Sequence, residues 1–465
     1  MEFVALGDTD EIGASCLFCN TNETGIILDA GADPEEEGID SLPKFDILRN
    51  GRGWYVDHAV VTHAHHDHMG SLPILIREFP HVVVHMTPVT RQFVEFLLPA
   101  SARLQKRKLR EGSSFAEPLF DEEEVEMHSH LYLTHELEES FPLTGMRDPD
   151  EIKARLFNAG HVLGAAGVEI TFQEDGEERR LFYTSDTSLR PQHIIPGGEY
   201  PDGPIDILML ESTLGADPDA ELTTRKMEEE RLLKSMQRVL ERGGTILIPV
   251  FALGRAQEIL AIIDRFKSKG KIDADIPVYT AGGMRAVADL YDKSRHTTPR
   301  LDPEFQVFGV PQKRLPRSNK ATQEALSQPS IHVVSSGMMF ERTISNRLAQ
   351  QLVEDEKNGI FLVGYAKEDS PARLILDAAN KGKGEEATLD RLIGPQPINC
   401  DVERFRFSGH SHRRELLQIV EKVKPKKIVL VHGETEAREW MANNIRYFYP
   451  EVDIFLPEHG EIISL

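Results

Sequence analysis

One segment constrains this chain more than any other: Thr62-His63-Ala64-His65-His66-Asp67-His68, with an apolar, strand-like run at 59–62 leading into it and helical periodicity at 70–79 leading out. Four histidines and an aspartate in six residues do not make a core, because each buried imidazole needs a polar partner. Metal binding satisfies them together. A turn after a strand can aim His63 and His65 at one ion, and Asp67 and His68 at a second nearby. Zinc takes such nitrogen and oxygen donors and, in catalytic sites, keeps a position open for water. His66 is the odd member and is expected to face away. The spacing is that of a two-metal site of the kind that clamps phosphoryl oxygens.

The remaining sequence falls into three stretches. Short strands are expected at 2–6, 14–18, 25–29 and 59–62, helices at 70–79 and 88–109, and strands again at 154–157, 168–172, 181–184 and 207–210. The acidic run 121–126 reads as a solvated helix start. The middle alternates: helix 224–242, strand 245–250, helix 255–267, strand 276–279, helix 285–294, strand 331–334, a helical stretch near 342–354, strand 360–363. Such alternation predicts a parallel sheet covered on both faces. The end resumes the first rhythm, with a strand at 402–407, a helix at 412–423, a strand at 427–431, a helix from Glu434 and short closing strands. The simplest layout is one domain made from both chain ends with a second inserted between them.

Charge and cysteines exclude several classes. The formal net charge is −23 over 465 residues. A protein that holds nucleic acid by bulk charge is basic, so a nucleic-acid substrate here needs local Lys and Arg, metal ions and a specific groove. The acidity also suits a solubility demand such as a salty cytoplasm. Cys16, Cys19 and Cys400 are too few for a disulfide framework. Cys16 and Cys19 form a lone C-x-x-C without a second pair, so they are expected to be ordinary strand residues. The first thirteen residues lack the basic and apolar regions of a signal peptide. No stretch approaches the ~20 apolar residues that span a bilayer; the best, 245–253, is broken by Pro249. A cytoplasmic chain without membrane association is expected.

The H-x-H-x-D-H segment resembles the signature of the metallo-β-lactamase superfamily, and further motifs follow in that family's order along the whole chain. Asp29, ending GIILDAG, resembles the early aspartate that orients a ligating histidine from behind. His161 in AGHVLGAA resembles the third histidine ligand, and Asp186 in YTSD the bridging carboxylate. Taken singly each is weak, since an aspartate after a strand is usually a turn residue. The resemblance narrows to the β-CASP subgroup, which acts on nucleic acids: Glu211 in MLESTLG resembles its motif A acid, His410 in FSGHSHRREL motif B and His432 in IVLVHGE motif C. VFALGRAQE (250–258) and SSGMM (335–339) are similar to inserted-domain segments of the nuclease subunit of eukaryotic mRNA 3′-end processing and of its archaeal and bacterial relatives. Members acting on RNA carry a histidine at motif C, whereas DNA-repair members tend to an apolar residue; His432 therefore favours RNA. Ribonuclease J is similar as well, but continues past the point where this sequence closes, and many archaeal members begin with an RNA-binding extension that this sequence does not show.

The resemblance implies an α/β fold: a four-layer αββα metallo-β-lactamase sandwich over 1–210 and 396–465, with an inserted α/β (β-CASP) domain on a mostly parallel sheet over 211–395. It implies two zinc ions, with Mn2+ as a substitute. One is held by His63, His65 and His161, the other by Asp67, His68 and His432, and Asp186 bridges them. The pair would lower the pKa of a shared water toward ~7, for in-line attack in a cleft between the domains that leaves a 5′-phosphate and a 3′-hydroxyl. Asp67 joins the catalytic set, and His410, supported by Glu211, is the expected proton donor to the leaving oxygen. His412 reads as a helix-start residue. Ser335, Ser336, Gly337 and Met338 could receive a neighbouring phosphate on backbone N–H groups, or be an ordinary strand-to-helix turn; Arg342, Arg347 and Lys367 could line the same cleft or make surface ion pairs. The expected partner is RNA, most simply single-stranded, with a homodimer open and endonuclease and 5′-exonuclease action not separated. The competing readings are a thioester or lactone hydrolase, which the inserted domain argues against; a non-catalytic scaffold, which would have lost ligands; and a DNA-directed nuclease, which His432 disfavours.

Overall fold

Strands whose alternate residues face two different cores build the first unit. The structure, a computed structural model, describes residues 1–9, 13–49, 53–281, 283–364 and 366–465. Phe3, Ala5, Leu17, Cys19, Ile26 and Leu28, at alternate strand positions, share one core with Leu156, Val168, Ile170, Leu181, Tyr183, Met209, Val429 and Val431. These are the facing sides of two sheets. The first runs in the order Ile462–Ser464, Glu2–Ala5, Leu17–Thr21, Thr24–Leu28, His58–Val60, Val83–Met86, Tyr132–Thr134. The second runs Asp453–Phe455, Lys427–Val431, Ile207–Glu211, Glu177–Tyr183, Ala166–Glu174, Lys153–Asn158, Ser140–Pro142. On the second sheet's outer side, Leu208, Leu210, Ile428 and Leu430 pack with Leu416, Ile419, Met441 and Ile445 of helices Arg413–Val423 and Thr435–Phe448. Phe18, Ile27 and Ala59 on the other side of the first sheet are equally buried, so both sheets are covered outside as well as in. Each fully buried Ile or Leu contributes about 1.5–3 kcal/mol.

The second unit is a separate α/β body. Its six-stranded sheet is parallel throughout, in the order Lys313–Arg314, Val278–Thr280, Ser330–Val334, Thr245–Pro249, Gly359–Leu362, Asp401–Arg404. Leu247, Val334, Ile360 and Leu362 pack with Leu348, Leu352, Ala372 and Ile375 on one face. Ile246, Ile248 and Phe361 are buried on the other, as parallel strands require.

The boundaries differ from those expected. The first unit comprises Met1–Pro191, Gly197–Glu221 and His410–Leu465, and the second Gln192–Pro196 and Leu222–Gly409. Residues 396–409 therefore lie with the inserted body, because Asp401–Arg404 pairs in parallel with Gly359–Leu362. Residues 211–221 stay with the first unit: Leu214 bridges to His412, and the Arg413 guanidinium donates to Glu221 at 2.7 Å. The strand expected at 14–18 instead spans Leu17–Thr21. Ser15 is diverted, its N–H bonding the Asp67 carbonyl at 2.8 Å. The helix expected at 70–79 is two pieces, His66–Met69 and Leu72–Glu78.

Cys16, Cys19 and Cys400 are free and buried, and burial pushes the Cys19 and Cys400 thiols up to about 12. A thiol-specific reagent should therefore leave the native protein unlabelled and modify all three cysteines after denaturation. Fast native labelling of Cys16 and Cys19 would restore the redox-pair reading. No helix among the described residues is long and apolar enough to cross a membrane.

Candidate metal centre

The chemistry-bearing side chains collect where strands end. Asp29 follows Thr24–Leu28, Thr62 to His68 follow His58–Val60, His161 follows Lys153–Asn158, Asp186 follows Glu177–Tyr183, Glu211 closes Ile207–Glu211 and His432 follows Lys427–Val431. Parallel pairing puts the carboxyl ends of Thr24–Leu28 and His58–Val60 side by side in one sheet, and those of Glu177–Tyr183, Ile207–Glu211 and Lys427–Val431 in the other; Lys153–Asn158 reaches the same end through two antiparallel pairings with Ala166–Glu174 between. Asp29, Ser185 and His432 have φ of +63°, +53° and +51°, a region non-glycine residues seldom adopt and one concentrated at working sites. Gly31 lets the Asp67 loop approach: a Cβ there would lie 1.8 Å from the Asp67 carbonyl oxygen.

Two groups of donors share one carboxylate. His63, His65, His161 and Asp186 form the first, and Asp67, His68, Asp186 and His432 the second, all donor atoms of a group lying within 4.8 Å of one another. In the first, His65 Nδ1 is 3.2 Å from both His63 Nε2 and His161 Nε2. Asp186 Oδ2 lies 3.6 Å from His63 Nε2 and 3.5 Å from His161 Nε2. In the second, His68 Nε2 is 3.3 Å from His432 Nε2 and 3.4 Å from Asp186 Oδ1, and Asp67 Oδ2 is 3.5 Å from His432 Nε2. One oxygen of Asp186 thus faces each group. His66 joins neither group among the described residues.

The donors fit divalent ions. Asp186 Oδ1 is buried and accepts no hydrogen bond from the described residues, a costly state for a carboxylate oxygen unless a cation faces it. Burial alone would raise the Asp186 pKa, but His432, His68 and His410 hold it well below the ordinary carboxylate range. Burial and then His68 press His63 well below the ordinary imidazole range, leaving it neutral with a lone pair to give. Burial opposes charge on His68, yet Asp186, Asp29 and Asp67 raise it well above its usual value; a bound dication would stand in place of that proton.

Supporting groups sit behind the donors. Asp29 Oδ2 accepts from His68 Nδ1 at 2.9 Å and from the Tyr183 hydroxyl at 3.1 Å, while Oδ1 accepts from the Thr62 N–H at 2.7 Å. That turns His68 Nε2 inward. The Thr62 and Ser185 hydroxyls are 2.6 Å apart, and Thr213 Oγ1 lies 3.1 Å from His432 Nδ1. Sequence reasoning did not single out Thr62, Tyr183, Ser185 or Thr213. All four lie inside the quoted motifs, and that position was the one available signal.

Glu211 is fully buried, and its carboxylate accepts from His410 Nδ1 at 2.9 Å and from the Thr187 N–H at 2.6 Å. His410 Nε2 is then turned toward Asp186 Oδ2, 4.0 Å away. Burial would lower the His410 pKa, but Glu211 and then Asp186 raise it to about 9. His412 caps helix Arg413–Val423, its N–H bonding Glu415. Ser335, Ser336, Gly337 and Met338 lie in the second unit after strand Ser330–Val334. Helix Ile344–Leu352 begins further on, capped by Thr343, so they are not themselves its N-terminus.

Fold and centre together define a class: layered αββα metallohydrolase folds that gather histidines and carboxylates at strand ends. Comparison with known families agrees. Residues 9–210 match the metallo-beta-lactamase superfamily, 256–375 the Beta-Casp domain, and 395–457 the Zn-dependent metallo-hydrolase RNA specificity domain. The chain belongs to the metallo-β-lactamase superfamily and, within it, to the β-CASP subgroup. It is 30% identical to Endoribonuclease YSH1 of Eremothecium gossypii over 93% of this chain and 55% of that protein. It therefore spans about half the length of that relative. It is 28% identical to Probable RNase MJ4 of Methanocaldococcus jannaschii over 100% of both. A solved protein of unknown function from Enterococcus faecalis shares the fold, with a TM-score of 0.56 and 17% identity over 100% of this chain and 99% of that one.

Proposed function

We propose that this chain is a zinc-dependent phosphodiesterase that cuts RNA. The observation that carries the reading is Asp186, a buried carboxylate that offers one oxygen to each of two donor groups. On this reading His63, His65 and His161 hold one ion, Asp67, His68 and His432 the other, and Asp186 both. Bound, the pair would neutralise the scissile phosphate and lower the pKa of a nearby water. Glu211 fixes the His410 ring by its Nδ1 hydrogen bond, leaving the Nε2 proton for the departing 3′-oxygen. Asp29 orients His68. In the second unit, the turn at 335–338 is proposed to receive a substrate phosphate; the buried Ser336 hydroxyl, without a hydrogen-bond partner among the described residues, supports that role.

RNA rather than DNA is favoured by His432 at its position and by the match of 395–457 to an RNA specificity domain. The names of the relatives, an endoribonuclease and a probable RNase, point the same way. The test uses 5′- and 3′-labelled single-stranded RNA and DNA of one sequence, at one stated salt concentration because binding depends on it steeply. RNA should be cut faster, with 5′-phosphate products, and a chelator should stop the reaction until zinc or manganese is returned. Equal or better cleavage of DNA would overturn the RNA assignment, and chelator-resistant cleavage would overturn the metal.

A further inference from the structure

Two acceptors compete for one proton in the second donor group. His432 Nδ1 lies 3.1 Å from Thr213 Oγ1 and 3.2 Å from Asp186 Oδ1. The Thr213 hydroxyl is also 3.3 Å from the His432 carbonyl oxygen, to which it donates. With its own hydrogen so directed, Oγ1 is left as an acceptor, and Nδ1–H is the donor that faces it. Nε2 then carries a lone pair, on the side where Asp67 and His68 stand.

We propose that Thr213 is a positioning residue: by accepting the Nδ1 proton of His432, its hydroxyl keeps that proton off Asp186 and leaves Asp186 Oδ1 free for an ion. The inference rests on the two-ion reading above. Among the described residues Asp186 Oδ1 accepts no hydrogen bond, although an imidazole nitrogen stands 3.2 Å away. A carboxylate is a stronger acceptor than a hydroxyl, so without Thr213 the proton would turn to Asp186 and tie up Oδ1, the oxygen that faces the second group. The backbone holds the arrangement in place. The Ser212 N–H bonds the His432 carbonyl at 3.1 Å, and a Cβ at Gly433 would lie 2.8 Å from the Ser212 carbonyl carbon. The segment carrying Thr213 is thereby pressed against the one carrying His432, whose φ of +51° points its ring into the centre.

The test is zinc binding by the full chain, independent of any RNA. Protein stripped by chelator is titrated with zinc against a competing indicator, and bound zinc is counted by elemental analysis. Wild type should take two ions. Thr213→Val, which keeps the shape and removes the hydroxyl, should bind the first ion as wild type does and the second about 10–100-fold more weakly, as for other groups that orient metal ligands. Thr213→Ser should restore the second affinity to within a few-fold. Thr213→Ala carries the valine expectation and serves if valine does not fold. Full affinity for both ions in the valine or alanine variant would overturn the proposal. So would a serine variant as weak as valine, because packing and not the hydroxyl would then matter. A wild-type protein that takes only one ion would overturn the two-ion reading and this inference together, whereas two ions in wild type with no effect of valine would overturn this inference alone.

Discussion

His410→Ala should lower RNA turnover by a factor on the order of 10²–10⁴, the usual contribution of a positioned general acid, while both ions stay bound. His410 Nδ1 is committed to Glu211 at 2.9 Å, and Nε2 stands 4.0 Å from the shared carboxylate. Asp186, Glu211 and His410 do have the spacing of a third donor group. The ion count in His410→Ala separates such a ligand from a proton donor; as a donor, His410 is raised to about 9 by Glu211 and then Asp186, which overcome burial. The sign follows: the imidazole holds its proton at neutral pH and loses it as pH rises through that value, so turnover should fall on the alkaline side. Glu211→Gln removes the raising charge and should bring that fall to lower pH. A nitrophenyl phosphodiester, whose leaving group departs without a proton, should lose far less than RNA does. Loss of an ion in His410→Ala would make the residue a ligand. An equal loss on the nitrophenyl ester would make it a phosphate-binding or structural group.

Much of this centre could be read from the chain because metal ligation forces rare residue types into tight spacing. The six residues 63–68 hold four of its members, and short apolar runs marked the strands that carry the others. Hydroxyl partners were not legible. Thr62, Ser185 and Thr213 act through one oxygen each, and nothing in a sequence separates such a threonine or serine from those that merely fill strands and turns. Strand neighbours were not legible either. The apolar pattern at 402–407 announced a strand, but only the crossover from Gly359–Leu362 decides that it joins the inserted sheet. Helix Pro371–Lys381, which buries Ala372 and Ile375, was missed. Histidines outside the motif carried no warning at all: His58, His85 and His135 form a hydrogen-bonded chain at 3.0 and 2.9 Å. It is built from two strand positions and the residue just after a third strand, far apart in sequence.

Asp186→Asn should abolish tight binding of both ions, and RNA turnover should fall with it by a factor on the order of 10³ or more, since bound ions supply several kcal/mol of transition-state stabilisation. The amide keeps the shape of the carboxylate but not its charge, and it offers one donor group a nitrogen in place of an oxygen. Stability separates this cause from general damage. A ligand that binds only the folded chain stabilises it by RT ln(1 + [L]/Kd), about 2.7 kcal/mol per site at a hundredfold excess over Kd. Zinc should therefore raise the melting temperature of wild type by roughly 5–10 °C for each site filled and leave the variant unmoved. Without zinc the two proteins should unfold within a few degrees of each other. The wild-type carboxylate is buried there with one oxygen that accepts no hydrogen bond from the described residues, so it spends stability in the empty site that the variant does not. A zinc-free variant that is already unfolded would trace the lost activity to the fold. A variant that binds two ions and melts like wild type in zinc would remove Asp186 from the centre, and the pairing of the two donor groups with it.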